Sequence, residues 1–172
     1  ACTPQVHLGD PAANAREVIA LAGEAAASGA AVMLFPELAL SAYTNDELFF
    51  QRPLLEAVRA AVQDVVVASE AYAGLIVAGA PLEHDGRLYN TAIVFHRGQI
   101  LGVVPKAYLP NYREFYEKRY FSAGAHVRGD MTEIAGQFVP FGVDLVFKCV
   151  DHPALSVGIE ICEDLWTPLP PS

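Results

Sequence analysis

The chain has 172 residues, of which 53% are hydrophobic and 18% charged, and its formal net charge is −9. This length is sufficient for one domain with a substantial core, and the composition favours a compact fold over a disordered chain. The acidic balance argues against binding to nucleic acid or to an anionic membrane, because both need clustered Lys and Arg. No apolar run reaches the length of a membrane span.

The cysteines and histidines indicate a reduced, metal-free protein. Cys2, Cys149 and Cys162 are odd in number and lack the spacing of a metal site. The five histidines are scattered, with no pair at ligand spacing. We therefore predict free thiols, a cytoplasmic location and no metal site in this chain.

The first half of the chain predicts alternating helices and strands. Asp10-Pro11 is a typical helix start, and apolar residues follow at helical spacing. A buried strand is predicted over residues 31–35 and a single helical turn over residues 46–50. Pro53 opens a second amphipathic helix, and residues 75–79 are the next predicted strand.

The second half predicts a hairpin followed by shorter elements. Apolar runs over residues 88–96 and 99–104 flank Arg97-Gly98, a typical hairpin turn. The later elements are a partly helical aromatic stretch (111–121), a loop with some strand (123–137), one or two strands (138–150) and a buried strand (155–161). This order fits an α/β sheet covered by helices.

Three chemically distinct side chains directly follow predicted strands. Glu37 and Lys106 each follow a strand through one proline, and Cys162 comes immediately after residues 155–161. A proline stops strand pairing and releases the next side chain into a loop, where functional groups are commonly found. A cysteine after a strand can present its sulfur to a cleft near backbone N–H groups. The pattern indicates a shared site rather than three unrelated strand ends.

In this chain order the three residues resemble the catalytic triad of the nitrilase (carbon–nitrogen hydrolase) superfamily. The local sequences are most similar to the glutamine amidotransferase domains of glutamine-dependent NAD synthetases, and the resemblance covers essentially the whole chain. It is carried by residues 35–38, 105–121 and 162–166. The resemblance implies an α/β fold, the nitrilase-like four-layer α-β-β-α sandwich.

The resemblance also implies a domain organisation. Residues 1–172 are expected to be an N-terminal fragment of a carbon–nitrogen hydrolase (glutaminase) domain, truncated at both ends, with an ATP-dependent synthetase domain absent. Gly124 and Gly129 have the spacing of a phosphate-binding loop, but Asp130 stands where lysine is required. No cofactor is therefore expected here, while ATP, Mg²⁺ and deamido-NAD are expected in the missing domain. The implied partners are glutamine, that synthetase domain and further copies in a homo-oligomer.

The catalytic roles come from the same resemblance. Cys162 would attack the side-chain amide of glutamine and form a thioester, with Glu37 as general base. Lys106 would stabilise the oxyanion and lower the thiol pKa. Glu114 would orient the lysine, and the backbone N–H of Glu163 would complete the oxyanion site.

Two aromatic residues are candidate substrate contacts. Tyr112 resembles the residue that lines the glutamine pocket, and Trp166 is either a pocket wall or a core residue. The charged run over residues 117–119 is interpreted as solvent-exposed and without a role. Cys149, inside an apolar strand, is expected to be inert.

Other interpretations remain open from the sequence. A Cys162–His152 pair would give a different thiol chemistry, although His152-Pro153 looks like a turn. The chain is also compatible with a stand-alone amidase or carbamoylase, or with a non-catalytic nitrilase-like module. The sequence around Tyr112 and Trp166 favours the glutaminase, and the three filled triad positions disfavour the non-catalytic module.

Overall fold

A six-stranded mixed sheet organises the computed structural model, which describes residues 1–171. The strands lie in the order β1-β2-β3-β4-β6-β5. The β1–β2 and β4–β6 pairs are parallel, and the other pairs are antiparallel. Their bounds are β1 Val32–Leu34, β2 Leu75–His84, β3 Arg87–His96, β4 Gln99–Pro105, β5 Asp130–Ile134 and β6 Gln137–Phe141.

Two long helices, α1 (Pro11–Ala27) and α2 (Arg52–Ser69), cover one face of this sheet. The side chain of Asp10 accepts a hydrogen bond from the N–H of Ala13 at 2.9 Å, which caps α1 as its sequence predicts. The buried faces of both helices pack with alternate residues of the strands into one core. This core fixes the sheet from which the loops of the site emerge.

The predicted hairpin at Arg97-Gly98 is present, with both residues at positive φ (47° and 79°). A second hairpin joins β2 to β3, and β2 runs to His84 rather than ending near residue 79. Pro81 concealed this extension, because a proline within a strand usually argues against pairing. The β1 strand pairs with β2 only as far as Val77, so the later part of β2 has an open side where the proline is tolerated.

A two-stranded ribbon packs on the opposite face of the main sheet. It consists of β7 (Phe147–Lys148) and β8 (Ser156–Val157), and apolar residues of both strands contact the sheet. The result is the α–β–β part of the expected sandwich, in an α/β, nitrilase-like arrangement. The predicted buried strand over 155–161 is shorter than expected, since only β8 is paired there.

Short helices complete the described chain. They are a 3₁₀ helix (Asp46–Phe50), α3 (Glu117–Tyr120) and α4 (Glu163–Trp166). The first two begin in loops that follow strands of the main sheet, and α4 begins after the β-ribbon. None of the helices within residues 1–171 has both the length and the apolar character of a membrane span.

Candidate active site

Glu37 lies in the loop that leaves β1 and rests directly on β2. A Cβ atom at Gly79 would overlap the backbone of Leu38, so only glycine lets this loop pack so closely. The N–H of Leu40 donates to the carbonyl of Gly79 at 3.0 Å, and Leu38 has a positive φ of 53°. These contacts fix a sharp turn that points Glu37 inward, where its side chain is 17% exposed.

Lys106 follows the last residue of β4 and is fully buried. Its ammonium Nζ lies 2.6 Å from Oε1 of Glu37 and 2.7 Å from Oε1 of Glu117. Its backbone is held on both sides, because its N–H donates to the carbonyl of Asn90 and its carbonyl accepts from the N–H of Gly124, each at 2.8 Å. Burial alone would lower the pKa of Lys106, but the two carboxylates raise it above its ordinary value. The site therefore holds a charged ammonium.

Glu117 is the second carboxylate on the ammonium, although the sequence predicts no role for residues 117–119. It is the first residue of α3 and is 3% exposed, so the solvent-exposed interpretation of residues 117–119 is wrong for it. The hydroxyl of Tyr43 donates to Oε1 of Glu117 at 2.7 Å. Burial raises the pKa of Glu117, while hydrogen bonds from Lys106 and Tyr43 oppose the rise.

The structure places Glu117, not Glu114, against Lys106, which corrects the predicted assignment of the lysine-orienting carboxylate. Glu114 is exposed and lines a shallow cavity beside Tyr116. The chain makes a tight turn just before it, with Arg113 at a φ of 55° and the N–H of Phe115 donating to the preceding loop. After this turn, the glutamate whose side chain points inward is Glu117, at the start of α3.

Asn90 of β3 joins the two carboxylates and was also missed. Its side chain is fully buried, and Nδ2 donates to Oε1 of Glu37 and, at 3.5 Å, to Oε2 of Glu117. The ammonium of Lys106 and the amide of Asn90 thus share one oxygen of Glu37. Within residues 1–171 no donor reaches the other oxygen, Oε2, which is therefore the better proton acceptor. An asparagine inside an apolar strand was the signal that sequence reasoning could have used.

Cys162 occupies the turn between Ile161 and α4 with φ 49° and ψ −96°. This conformation is rare for a residue with a side chain and costs about 1–3 kcal/mol, and such strain is typical of functional sites. The residue is exposed and its thiol is free. Partial burial of the sulfur and the charge of Glu37 raise the thiol pKa, and the opposing effect of Lys106 is smaller. The thiol is therefore neutral at rest and needs a base.

Glu163 and Tyr112 meet at the exposed rim of this turn. The hydroxyl of Tyr112 donates to Oε2 of Glu163 at 3.1 Å. This hydrogen bond raises the pKa of Tyr112, so the phenol stays protonated and donates to the Glu163 carboxylate. Glu163 opens α4, which leaves its backbone N–H without a partner inside the helix.

Two further candidates, Trp166 and His152, lie at the surface of the described chain. Trp166 is 75% exposed and is therefore not a core residue, and its place in the wall of the substrate pocket stays a prediction. His152 lies in an exposed turn, where its carbonyl accepts from the N–H of Leu155 at 2.8 Å. The main charges acting on the Cys162 thiol come instead from carboxylates and from Lys106. The geometry therefore favours a glutamate base over a cysteine–histidine pair.

The residues around Gly124 do not fit a bound nucleotide phosphate. The N–H of Gly124 already donates to the backbone of Lys106, and Asp130 is paired with His84 at 2.9 Å. His84, Asp85 and Asp130 form the one three-residue group within residues 1–171 with cation-binding spacing. The hydrogen bond with His84 lowers the pKa of Asp130, and this hydrogen bond accounts for the short contact between the two side chains.

The fold is that of nitrilase-like proteins, with a mixed sheet, two helices on one face and a β-ribbon on the other. The carbon-nitrogen hydrolase profile matches residues 1–171, and the chain belongs to this family. The glutamine-dependent NAD(+) synthetase of Mycobacterium tuberculosis is 49% identical to it over all 172 residues.

Two solved structures of glutamine-dependent NAD(+) synthetases have the same fold as this chain. A glutamine-dependent NAD(+) synthetase from Cytophaga hutchinsonii superposes with a TM-score of 0.84 over 94% of this chain, at 22% identity. The enzyme from Acinetobacter baumannii, solved in complex with ADP, gives 0.73 over 95% at 32% identity. The chain spans 25% of the M. tuberculosis protein and 27% of each of these two structures.

Proposed function

We propose that residues 1–172 belong to the glutaminase domain of a glutamine-dependent NAD synthetase and release ammonia from the glutamine side chain. One observation carries the proposal: a buried ammonium, Lys106, is clamped between Glu37 and Glu117 beside a strained cysteine, Cys162. An activated thiol next to a base and a cation is the arrangement that amide hydrolysis through a thioester needs. The 49% identity to a glutamine-dependent NAD synthetase supports glutamine as the substrate.

In the first half-reaction, Glu37 takes the thiol proton of Cys162. The sulfur then attacks the carboxamide carbon of glutamine, and the carbonyl oxygen becomes an oxyanion. Lys106 and the backbone N–H of Glu163 are the proposed donors to this oxygen. The C–N bond breaks, the nitrogen takes the proton from Glu37, and ammonia leaves behind a γ-glutamyl thioester.

In the second half-reaction, Glu37 removes a proton from water, whose oxygen attacks the thioester carbon. The same donors stabilise the second oxyanion. The C–S bond then breaks, glutamate leaves, and the proton returns from Glu37 to Cys162. Because the thiol pKa is raised in the resting site, the reaction depends on this base rather than on a preformed thiolate.

Tyr112 is proposed to line the glutamine pocket from the rim. Its hydroxyl is tied to Glu163 next to the nucleophile, so it is placed to limit the pocket at that side. Glu117 is proposed to orient the ammonium of Lys106, in the role first predicted for Glu114. Tyr43 donates a hydrogen bond to the carboxylate of Glu117, and Asn90 donates one to that of Glu37.

The wider reaction requires partners of the whole protein. We propose that the ammonia serves a synthetase domain that uses ATP, Mg²⁺ and deamido-NAD, and that the protein acts as a homo-oligomer in the cytoplasm. The relative solved with ADP supports a nucleotide site in the full-length enzymes. Three free cysteines in this chain support a reducing compartment.

The proposal is tested by substrate preference in the protein at its full natural length. We expect kcat/KM for glutamine to exceed that for propionamide about a hundredfold or more, because a site built for the polar end of glutamine rejects substrates that lack it. Ammonia release is measured for both amides, with Cys149→Ala as a matched control of unchanged activity. Equal rates for the two amides would instead support a stand-alone amidase.

A further inference from the structure

Asp164 is a buried carboxylate that the proposed reaction does not use. Its side chain is 1% exposed although it lies two residues after the exposed Cys162. The neighbouring residues of α4, Leu165 and Trp166, are exposed, so the helix turns this one carboxylate inward. A charged group is seldom buried so completely without specific partners.

The hydrogen bonds to its carboxylate all come from backbone N–H groups, which belong to two different loops. Oδ1 accepts from the N–H of Tyr108 at 2.8 Å and from that of Ala107 at 3.1 Å. Oδ2 accepts from the N–H of Ile161 at 3.1 Å. These three donors lie outside the paired strands and the helices, so the carboxylate replaces a missing ladder partner.

The two loops carry the two reacting groups of the proposed site. Ala107 and Tyr108 come directly after Lys106, and Ile161 comes directly before Cys162. One carboxylate therefore ties the loop of the cation to the turn of the nucleophile. Ala107, next to Lys106, and Ile161, next to Cys162, both donate a backbone hydrogen bond to the side chain of Asp164.

The same contact opposes the strain at Cys162. The residue has φ 49° and ψ −96°. Such a strained backbone conformation persists only where contacts of the neighbouring residues hold it in place. The Asp164 carboxylate holds Ile161 on one side, and the N–H of Asp164 donates to the carbonyl of Ile161 at 3.2 Å. The turn is thus closed by two hydrogen bonds between the same pair of residues.

We propose that Asp164 is a positioning residue that sets the separation between Lys106 and Cys162 and holds the cysteine in its strained conformation. The inference deepens the proposed function and rests on it for its effect on glutamine hydrolysis. The structural part of the inference, that the Asp164 carboxylate holds both loops together, is tested without glutamine. Asp164 acts through its two neighbours and does not contact the reacting atoms.

The first test uses Asp164→Asn in the protein at its full natural length, with Asp151→Asn as a matched exposed control. The amide keeps one acceptor but turns an N–H₂ group toward backbone donors, so the two loops should separate. We expect kcat for glutamine to fall about a hundredfold, with KM changed less than about threefold, as for a small misplacement of reacting groups. Normal kcat in folded Asp164→Asn protein overturns the proposal.

A second readout separates positioning from a general loss of structure. The pH profile of iodoacetamide alkylation at Cys162 reports the thiol pKa, which burial of the sulfur and the charge of Glu37 raise and the charge of Lys106 lowers. Moving Lys106 away removes the charge that lowers this pKa, so Asp164→Asn should shift the profile to higher pH. An unshifted profile contradicts the clamp.

A third measurement uses the unmodified protein, in case the variant does not fold. The amide hydrogens of Ala107, Tyr108 and Ile161 should exchange with solvent far more slowly than the amides of the exposed loop residues Arg113 and Glu114. Fast exchange at all three clamped amides overturns the inference. Cys162→Ala distinguishes the two proposals: if that variant still hydrolyses glutamine, the proposed function fails, while the exchange and alkylation results still decide the clamp.

Discussion

Glu37→Gln is expected to reduce glutamine hydrolysis by about 10²- to 10⁴-fold, the usual contribution of a general base, while making Cys162 easier to alkylate. The two effects have opposite signs for one electrostatic reason. The Glu37 charge raises the pKa of the Cys162 thiol, so removing it lowers this pKa and increases the thiolate fraction at neutral pH. A more reactive sulfur in a less active enzyme identifies Glu37 as the base rather than as a support.

The experiment follows two rates in the same preparations. Ammonia release reports catalysis, and the pH dependence of iodoacetamide modification, mapped to the Cys162 peptide, reports the thiol pKa. The control is Glu133→Gln, an exposed position on β5. Slower alkylation in Glu37→Gln, or near-normal glutaminase activity, would remove Glu37 from the role of base.

Lys106→Arg is expected to lower glutaminase activity about a hundredfold or more, although the charge is kept. The ammonium is fully buried with carboxylate oxygens at 2.6 and 2.7 Å from one nitrogen atom. A planar, wider guanidinium cannot place its donors on both Glu37 and Glu117 in this space and still reach the substrate oxygen. The geometry of the oxyanion donor, rather than its charge, should therefore limit the rate.

The control for this variant is Lys148→Arg, at an exposed position of the β-ribbon, which should behave like the unmodified protein. Thermal unfolding of both variants shows whether the folded state survives. The extra bulk of arginine in a well-packed site typically costs about 1–3 kcal/mol of stability. A folded Lys106→Arg protein with near-normal activity would show that Lys106 does not stabilise the oxyanion.

Much of the framework could be predicted because its signals are local. The cap at Asp10, the turn at Arg97-Gly98 and the apolar strand runs of the main sheet each depend on a few neighbouring residues, and each is present. Glu37 and Lys106 could be paired in advance because both follow strands of one sheet, and the structure brings their charged atoms to 2.6 Å. Local rules succeed where the backbone alone sets the position of a side chain.

The remaining parts of the site depend on contacts between distant segments. The sequence predicts a surface charge at Glu117 because its neighbours, Lys118 and Arg119, are also charged. Its burial follows from the turn before α3 and from Tyr43, 74 residues earlier in the chain. The predicted lowering of the Cys162 thiol pKa by Lys106 is present, but the desolvation of the sulfur and the charge of Glu37 outweigh it, so the pKa is raised.

The shortened strand before Cys162 has a similar explanation. Residues 155–161 are apolar enough for a buried strand, but only Ser156–Val157 is paired, with β7. Beyond it, the N–H of Ile161 is satisfied by the Asp164 carboxylate instead of a neighbouring strand. A side chain that substitutes for a strand leaves no trace in hydrophobic periodicity.

The central claim, that Cys162 is the nucleophile toward glutamine, is tested most directly by covalent labelling. The protein at its full natural length is treated with a diazoketone analogue of glutamine and its cysteine peptides are mapped by mass spectrometry. We predict one adduct, on Cys162, whose formation is blocked by excess glutamine, with Cys2 and Cys149 unmodified. An adduct on Cys149, or labelling of Cys162 that glutamine does not prevent, would contradict the account.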